Sequence, residues 1–113
     1  MIILETKMSV AGLQEVAGNT FGDMVKAVVD VGRRLVAIDA ELHSDLEALL
    51  LEDGSVQNDL WGVNFYPFLE GDDFLEFDSM INMRPSQGNM SRGVVDGKIR
   101  AEIAEVVGEW ISG

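Results

Sequence analysis

Residues 24–38 read MVKAVVDVGRRLVAI, and whether they form strands or a helix decides the fold. Alternation sets Val25, Ala27, Val29 and Val31 on one side of an extended chain, with Lys26 and Asp30 on the other. Gly32-Arg33-Arg34 interrupts the apolar run and Leu35–Ile38 resumes it, which is the pattern of a β-hairpin. A helix competes, because Phe21, Val25, Val28, Gly32 and Leu35 fall near a 3.6-residue period. The density of β-branched valines and the central glycine decide for strands.

Downstream, Leu60–Tyr66 alternates large apolar with small or polar residues and ends at Pro67. Residues 74–83 alternate again, so a strand is predicted there, entered through the loop tip Glu70-Gly-Asp-Asp73. The stretch between the hairpin and Leu60, ELHSDLEALLLE (41–52), fits two elements. Ser44-Asp-Leu-Glu47 has the form of a capping box, and Gly54 could close a short helix. Asp53-Gly54 is also a hairpin turn between Leu49–Leu51 and Leu60–Tyr66, and on that basis a strand is predicted over 47–52.

Upstream, the apolar run Met1–Leu4 reads as a strand. Thr6 or Ser9 can cap a helix carrying Val10, Leu13, Val16 and Ala17, which stops near Gly18-Asn19-Thr20. At the other end Asp96 is a helix N-cap. Ile99, Ile103, Val106, Val107 and Trp110 form an apolar stripe, with Glu102, Glu105 and Glu109 facing out. The order β-α-β-β-β-β-β-α predicts one α+β domain spanning 1–113: an antiparallel sheet of about five strands with the N-terminal and C-terminal helices on one face.

A chain of 113 residues can bury roughly two-thirds of its unfolded surface, enough for a core without staples. There is no cysteine, so disulfides, thiolate metal sites and thiol nucleophiles are excluded. The opening MIILETKMS has no basic segment and no long apolar run, so no signal peptide is expected and the cytoplasm is the expected location. No apolar stretch approaches the ~20 residues of a membrane span. The net charge of -12 arises entirely within Leu35–Met83, which holds 12 Asp and Glu, no Lys or Arg, and the single histidine, His43. Such a charge argues against a nucleic-acid partner, since phosphate binding relies on Lys and Arg. It suits solubility or a cationic partner.

The strings MVKAVVD, ELHSDLEALLLEDGS, DLWGVN, MINMRPSQGN and DGKIRAEI together resemble a small prokaryotic family registered as a domain of unknown function, over about residues 21–107. Two positions depart from its pattern. Asp39-Ala40 stands where the family carries paired glycines, and Met90 stands where a polar or basic residue is usual. The resemblance implies a single cytoplasmic domain and supplies no substrate, cofactor or catalytic residue.

The chemistry is therefore weighed from the residues. His43, Asp45 and Glu47 share one face of a strand, while on a helix His43 and Glu47 meet at i, i+4. Either arrangement could set an imidazole beside carboxylates or hold a divalent metal, although no cofactor is predicted. Asp53–Asp59 has alternating oxygen ligands but not the spacing of an EF-hand, and reads as a turn. The loop Arg84-Pro-Ser-Gln87-Gly-Asn89-Met-Ser-Arg92 sets two guanidiniums around a donor-rich turn that could clamp a small anionic ligand. Its alternative is structural: both arginines pair with acids such as Glu76 or Asp78 and bond loop carbonyls. Trp61, Phe65, Tyr66 and Phe68, beside Asp59, form either a partner surface or core.

Two functions follow. The first is a non-enzymatic binding or regulatory module that meets a protein or small anionic ligand, with a homodimer as a further possibility. The alternative is a metal-assisted hydrolase with His43 as base or ligand, Asp45 and Glu47 as its partners, and Arg84 and Arg92 on an anionic substrate. That alternative requires all five side chains to converge on one pocket.

Overall fold

The hairpin at residues 24–38 is the centre of the sheet. In the computed structural model, which describes all 113 residues, ten elements follow in chain order. They are β1 (Ile2–Ile3), β2 (Met8–Ser9), α1 (Val10–Gly18), β3 (Val25–Asp30), β4 (Leu35–Ile38), α2 (His43–Glu52), β5 (Leu60–Phe65), β6 (Leu75–Glu76), α3 (Gly97–Trp110) and β7 (Ile111–Ser112). The main sheet is five-stranded and antiparallel, in the order β1-β4-β3-β5-β6. A two-residue parallel pairing joins β2 to β7. The single α+β domain is therefore as the sequence implies, and no helix is long and apolar enough to cross a membrane.

Strand alternation divides the buried residues between two faces. Val25, Ala27, Val29, Val36, Ile38, Trp61, Val63 and Phe65 belong to the larger core, together with Leu13 and Ala17 of α1 and Ile103, Val106 and Val107 of α3. Val28, Ala37 and Leu60 form a second core with Leu46 and Leu50 of α2. Both faces of β3 are thus covered, which accounts for its nearly continuous apolar run. The terminal helices are capped by side chains. Ser9 Oγ accepts from Gly12 N at 3.0 Å, and Asp96 Oδ1 accepts from Lys98 N at 2.8 Å.

The strand expected over 47–52 is instead helix α2, and the physical reason is the second face. Neither side of the central strand β3 is open, since β4 and β5 already occupy them. Leu46 and Leu50, one helical turn apart, reach Val28, Ala37 and Leu60 only from a helix. Burying each leucine contributes roughly 1.5–3 kcal/mol. Gly54, at φ +106°, then ends the helix in a Schellman turn: Ser55 N donates to Leu50 O at 2.9 Å and Gly54 N to Leu51 O at 3.2 Å. The anticipated capping box does not form. The N-cap residue is Leu42, which offers no side-chain acceptor.

The strand expected over 74–83 is limited to Leu75–Glu76, and a 3-10 turn follows at Met80–Asn82. The chain turns because Gly62 of β5 is paired by a side chain rather than by a strand. The Asn82 carboxamide accepts from Gly62 N at 2.8 Å and donates to Gly62 O at 2.9 Å. Asp39 has φ +72°, a left-handed conformation that favours glycine.

Candidate functional site

Helix α2 is short, about 15 Å for ten residues, and covers only part of its sheet face. Past its first turn the sheet continues as a row of polar cross-strand partners, with Lys26 of β3 opposite Asn64 of β5 and Asn64 opposite Glu76 of β6. A cavity of about 330 Å3 lies there, walled by His43 and Ser44 of α2, by this polar row, and by Tyr66, Asp78 and Arg92.

Asn64 is the pivot of the site. Its residue is only 5 % exposed, and its Nδ2 donates to Glu76 Oε1 at 2.8 Å and to the Asp78 carbonyl at 3.2 Å. Its Oδ1 is buried out of reach of solvent and makes no hydrogen bond of ordinary geometry, while the Asn64 side chain acts on the His43 ring beside it as a hydrogen-bond partner. Tyr66 donates its hydroxyl to the same Glu76 Oε1 at 3.1 Å. Burial, with Glu76 second, raises the Tyr66 phenol above the usual tyrosine value. Arg92 Nε donates to Asp78 Oδ1 at 2.8 Å. Lys26 forms no ion pair, and its Nζ lies 5.2 Å from the centre of the Phe21 ring.

His43 stands at the first position of α2 with Nε2 2.8 Å from the Val63 carbonyl, so Nε2 carries the proton that bonds it. Burial drives its pKa below the ordinary histidine value. The Val63 carbonyl and the Asn64 side chain beside it pull the other way, and Lys26 adds to the lowering. Because Leu42 supplies no cap, the backbone N–H groups of His43 and Ser44 have no acceptor and form the positive end of α2 at the cavity wall.

The residues anticipated from sequence divide between this cavity and the interior. His43, Tyr66 and Arg92 line it. Asp45 is exposed outside it, and Asp59 is half-buried near the hairpin turn. Arg84 is 8 % exposed and fully engaged. Its Nε donates to Ile81 O at 3.0 Å, its NH1 to Gln87 Oε1 at 3.3 Å, and its NH2 to Leu60 O and, at 3.4 Å, to Glu47 Oε2. Its guanidinium also lies 4.8 Å over the Trp61 ring. Burial lowers its pKa, with Glu47 opposing.

Asn89 is likewise structural, since its Nδ2 donates to the carbonyls of Asn82, Ser91 and Gly93 and its Oδ1 accepts from Val95 N. Gln87 Nε2 donates to Asn58 O at 3.1 Å. The structural alternative for the arginine loop thus holds, with Glu47 as partner of Arg84 and Asp78 as partner of Arg92. Trp61, 2 % exposed, is core and not a partner surface. His43, Asp45 and Glu47 do not form a ligand set, and no group of three His, Asp or Glu residues is disposed to hold a metal.

Lys26, Asn64 and Glu76 were absent from the sequence-based site. The available signal was parity: all three fall on the even-numbered face that carries Val28, Leu60 and Gly62. A larger groove of about 650 Å3 runs between α1, α3 and residues 67–75. Its lining is mainly apolar, with Glu70 its one ionisable side chain, and it gathers no reactive groups.

Residues 2–110 match the family described as Protein of unknown function (DUF5674). The chain belongs to that family. No significant match is found among curated proteins or among solved structures. Within this DUF5674 domain the signature stretches divide by role. ELHSDLEALLLEDGS builds α2 and its Schellman turn, while the INMRPSQGN segment is a knot of backbone-bonding side chains that closes the edge of β5.

Proposed function

We propose that this protein is a binding module for a small polar ligand held in the cavity under the start of α2. The observation that carries the reading is the polar lining of the cavity, where Lys26 has no ion pair and Glu76 leaves Oε2 without a hydrogen bond. The unpaired N–H groups of His43 and Ser44, two residues that line the same cavity, support it. A volume of about 330 Å3 is at the small end of ligand sites. The proposal includes a cytoplasmic setting, in keeping with the cysteine-free sequence.

A catalytic role has one supporting observation, that His43, Tyr66 and Glu76 share the cavity. The binding reading is preferred because His43 Nε2 is committed to Val63 O and Glu76 already accepts two hydrogen bonds.

The test is thermal unfolding against a panel of small amines, carboxylates, amino acids and uncharged amides, with wild type and Ser44→Trp. The exposed Ser44 at the cavity wall admits an indole that fills the space without touching the core. A ligand at 100-fold its Kd stabilises the wild type by about 2.7 kcal/mol, and Ser44→Trp abolishes the gain. Equal stabilisation of both proteins would move the site elsewhere and overturn the reading.

A further inference from the structure

On the sheet face away from α2, the terminal helices leave apolar surface uncovered. The groove of about 650 Å3 between α1, α3 and residues 67–75 is lined by Phe74, Leu75 and Val107, which belong to or pack against the larger core. Phe68 and Leu69 also line it, 59 % and 50 % exposed. That exposure is built into the backbone. Leu69 N donates to Tyr66 O at 3.0 Å, which closes a turn with Pro67 at the position where its fixed φ is favoured. Gln14 Nε2 of α1 donates to Pro67 O at 3.0 Å and holds the turn to the helix. On α3, the exposed Ala104 and Gly108 stand one helical turn apart and leave room for another backbone to approach. A Cβ added at Gly108 would meet nothing within 4 Å.

Charge sorts the occupants. Glu70 is the one ionisable side chain of the groove, and an adjoining cleft that shares Leu69 and Leu75 with it is lined by Asp72, Asp73 and Glu76. Neither includes a Lys or Arg, whereas the cavity under α2 includes Lys26 and Arg92, and the clefts at β1 and beside Trp110 both include Lys7. Glu70, Asp72 and Asp73 have no ion pair, and Glu70 precedes the 3-10 turn Gly71–Asp73 without capping it. Free carboxylates beside an apolar groove suit a partner that brings cations together with apolar surface. A second copy does not, because a chain of charge -12 would meet the acidic rim with more acid. A small amine would answer Glu70 alone, while a segment with several cations spans the groove and the Asp72–Asp73 cleft together.

We propose that this groove docks an amphipathic helix of another protein, with an apolar stripe flanked by Lys or Arg. The stripe packs on Phe68, Leu69, Ala104 and Gly108, and the basic side chains reach Glu70, Asp72 and Asp73. Helix-in-groove recognition reads apolar residues at i, i+3, i+4 and i+7, and the surrounding charges set orientation and encounter rate. The groove and the cavity under α2 lie on different faces of the sheet, so the docking surface stands independently of a ligand in that cavity.

The experiment titrates the 15N-labelled protein at physiological salt, where bulk attraction is screened, with three synthetic peptides and octylamine. The peptides are a leucine–lysine amphipathic helix, the same helix with glutamate for every lysine, and a scramble of the first that has no apolar stripe. The leucine–lysine helix shifts the amide signals of Phe68, Leu69, Glu70, Ala104 and Gly108, and the other probes bind at least about tenfold more weakly. Gly108→Trp, whose side chain enters open space and leaves the charge unchanged, abolishes the binding. Neutralising the rim with Glu70→Gln, Asp72→Asn and Asp73→Asn together weakens it by about tenfold, the sum of three exposed ion pairs. Equal binding of the scramble, or undiminished binding to Gly108→Trp, reduces the effect to bulk charge and overturns the groove. Equal binding of the glutamate helix overturns the basic partner. Octylamine binding as tightly at the same signals makes the occupant a small cation, and the same signals shifting on dilution of the free protein make it a second copy; either overturns the helix. If the leucine–lysine helix moves none of these signals, the docking surface falls.

Discussion

The side chain of Asn82 pairs with the backbone of Gly62 as a neighbouring strand would, accepting from its N–H at 2.8 Å and donating to its carbonyl at 2.9 Å. A third bond runs from Asn82 Nδ2 to Arg92 O at 2.9 Å, which ties the loop that ends in the cavity to the sheet. Asn82→Ala leaves both buried backbone groups of Gly62 unpaired and destabilises by about 2–4 kcal/mol. Urea unfolding with an unchanged m-value checks it. A cost below 0.5 kcal/mol would show that water replaces the carboxamide without loss.

The same contact requires the glycine. A Cβ on Gly62 would come 2.5 Å from both Cβ and Oγ of the buried Ser79, and 3.1 Å from Cγ1 of Ile81. Ser79 cannot retreat, because its N–H donates to Arg92 O and its hydroxyl caps the turn at Ile81 N. Gly62→Ala therefore destabilises by about 1–3 kcal/mol through overpacking. The double variant Gly62→Ala/Asn82→Ala costs less than the sum of the two, since both act on one contact.

Arg84 separates a structural role from a ligand-binding one. Its donors satisfy Ile81 O and Leu60 O, and its plane rests on Trp61. Arg84→Met leaves those carbonyls without a partner and frees Glu47, at a cost of about 2–4 kcal/mol in chemical denaturation. Arg84→Lys recovers little, because an ammonium has neither the fork nor the stacking plane. Had Arg84 been an anion clamp, either variant would leave stability nearly unchanged.

Much of the fold was readable because periodicity and caps agree locally. Ser9 and Asp96 cap the terminal helices, and the valines of β3 alternate against β4 and β5. The two misread segments depend on long-range facts. Leu46 and Leu50 are helical because a second sheet face must be covered, and no local signal reports that. Residues 77–83 alternate like a strand, yet Asn82 reaches 20 residues back to occupy the edge they would have paired with. The site was half legible for the same reason. His43 stood out as the single histidine and Arg92 as one of few bases, whereas Asn64, inside an apolar strand, gains its meaning from Lys26 and Glu76 across the sheet.

His43 makes stability depend on pH in a defined direction. Burial first, and Lys26 in addition, lower its pKa in the folded protein, against the pull of the Val63 carbonyl, Asn64 and Asp78. Below about pH 6.5 the unfolded chain takes up a proton that the folded chain refuses, so the unfolded state gains as pH falls. The stabilisation is complete above pH 6.5 and is lost as pH drops through the folded value. Urea midpoints measured between pH 7.5 and 5.5, where carboxylates stay ionised, fall with acidification for the wild type. In His43→Gln they are flat over that range. An equal fall in both proteins would assign the effect to other groups.

Asp39 holds a backbone position suited to glycine, with φ +72°. Its only charge partner is the N-terminal amine at 3.8 Å, with both groups over 40 % exposed, a pair worth little. The left-handed conformation costs a residue with a Cβ about 1 kcal/mol, somewhat less for Asp, whose short polar side chain tolerates it. Glycine removes that strain but adds freedom to the unfolded chain, which offsets part of the gain. Asp39→Gly is therefore expected to stabilise slightly, by about 0.5 kcal/mol. Asp39→Val, with a branched side chain in the same conformation, destabilises by about 1–2 kcal/mol. Thermal unfolding of the three proteins should rank them glycine, aspartate, valine. A valine variant as stable as the wild type would mean that the turn between β4 and α2 relaxes out of the left-handed region at no cost.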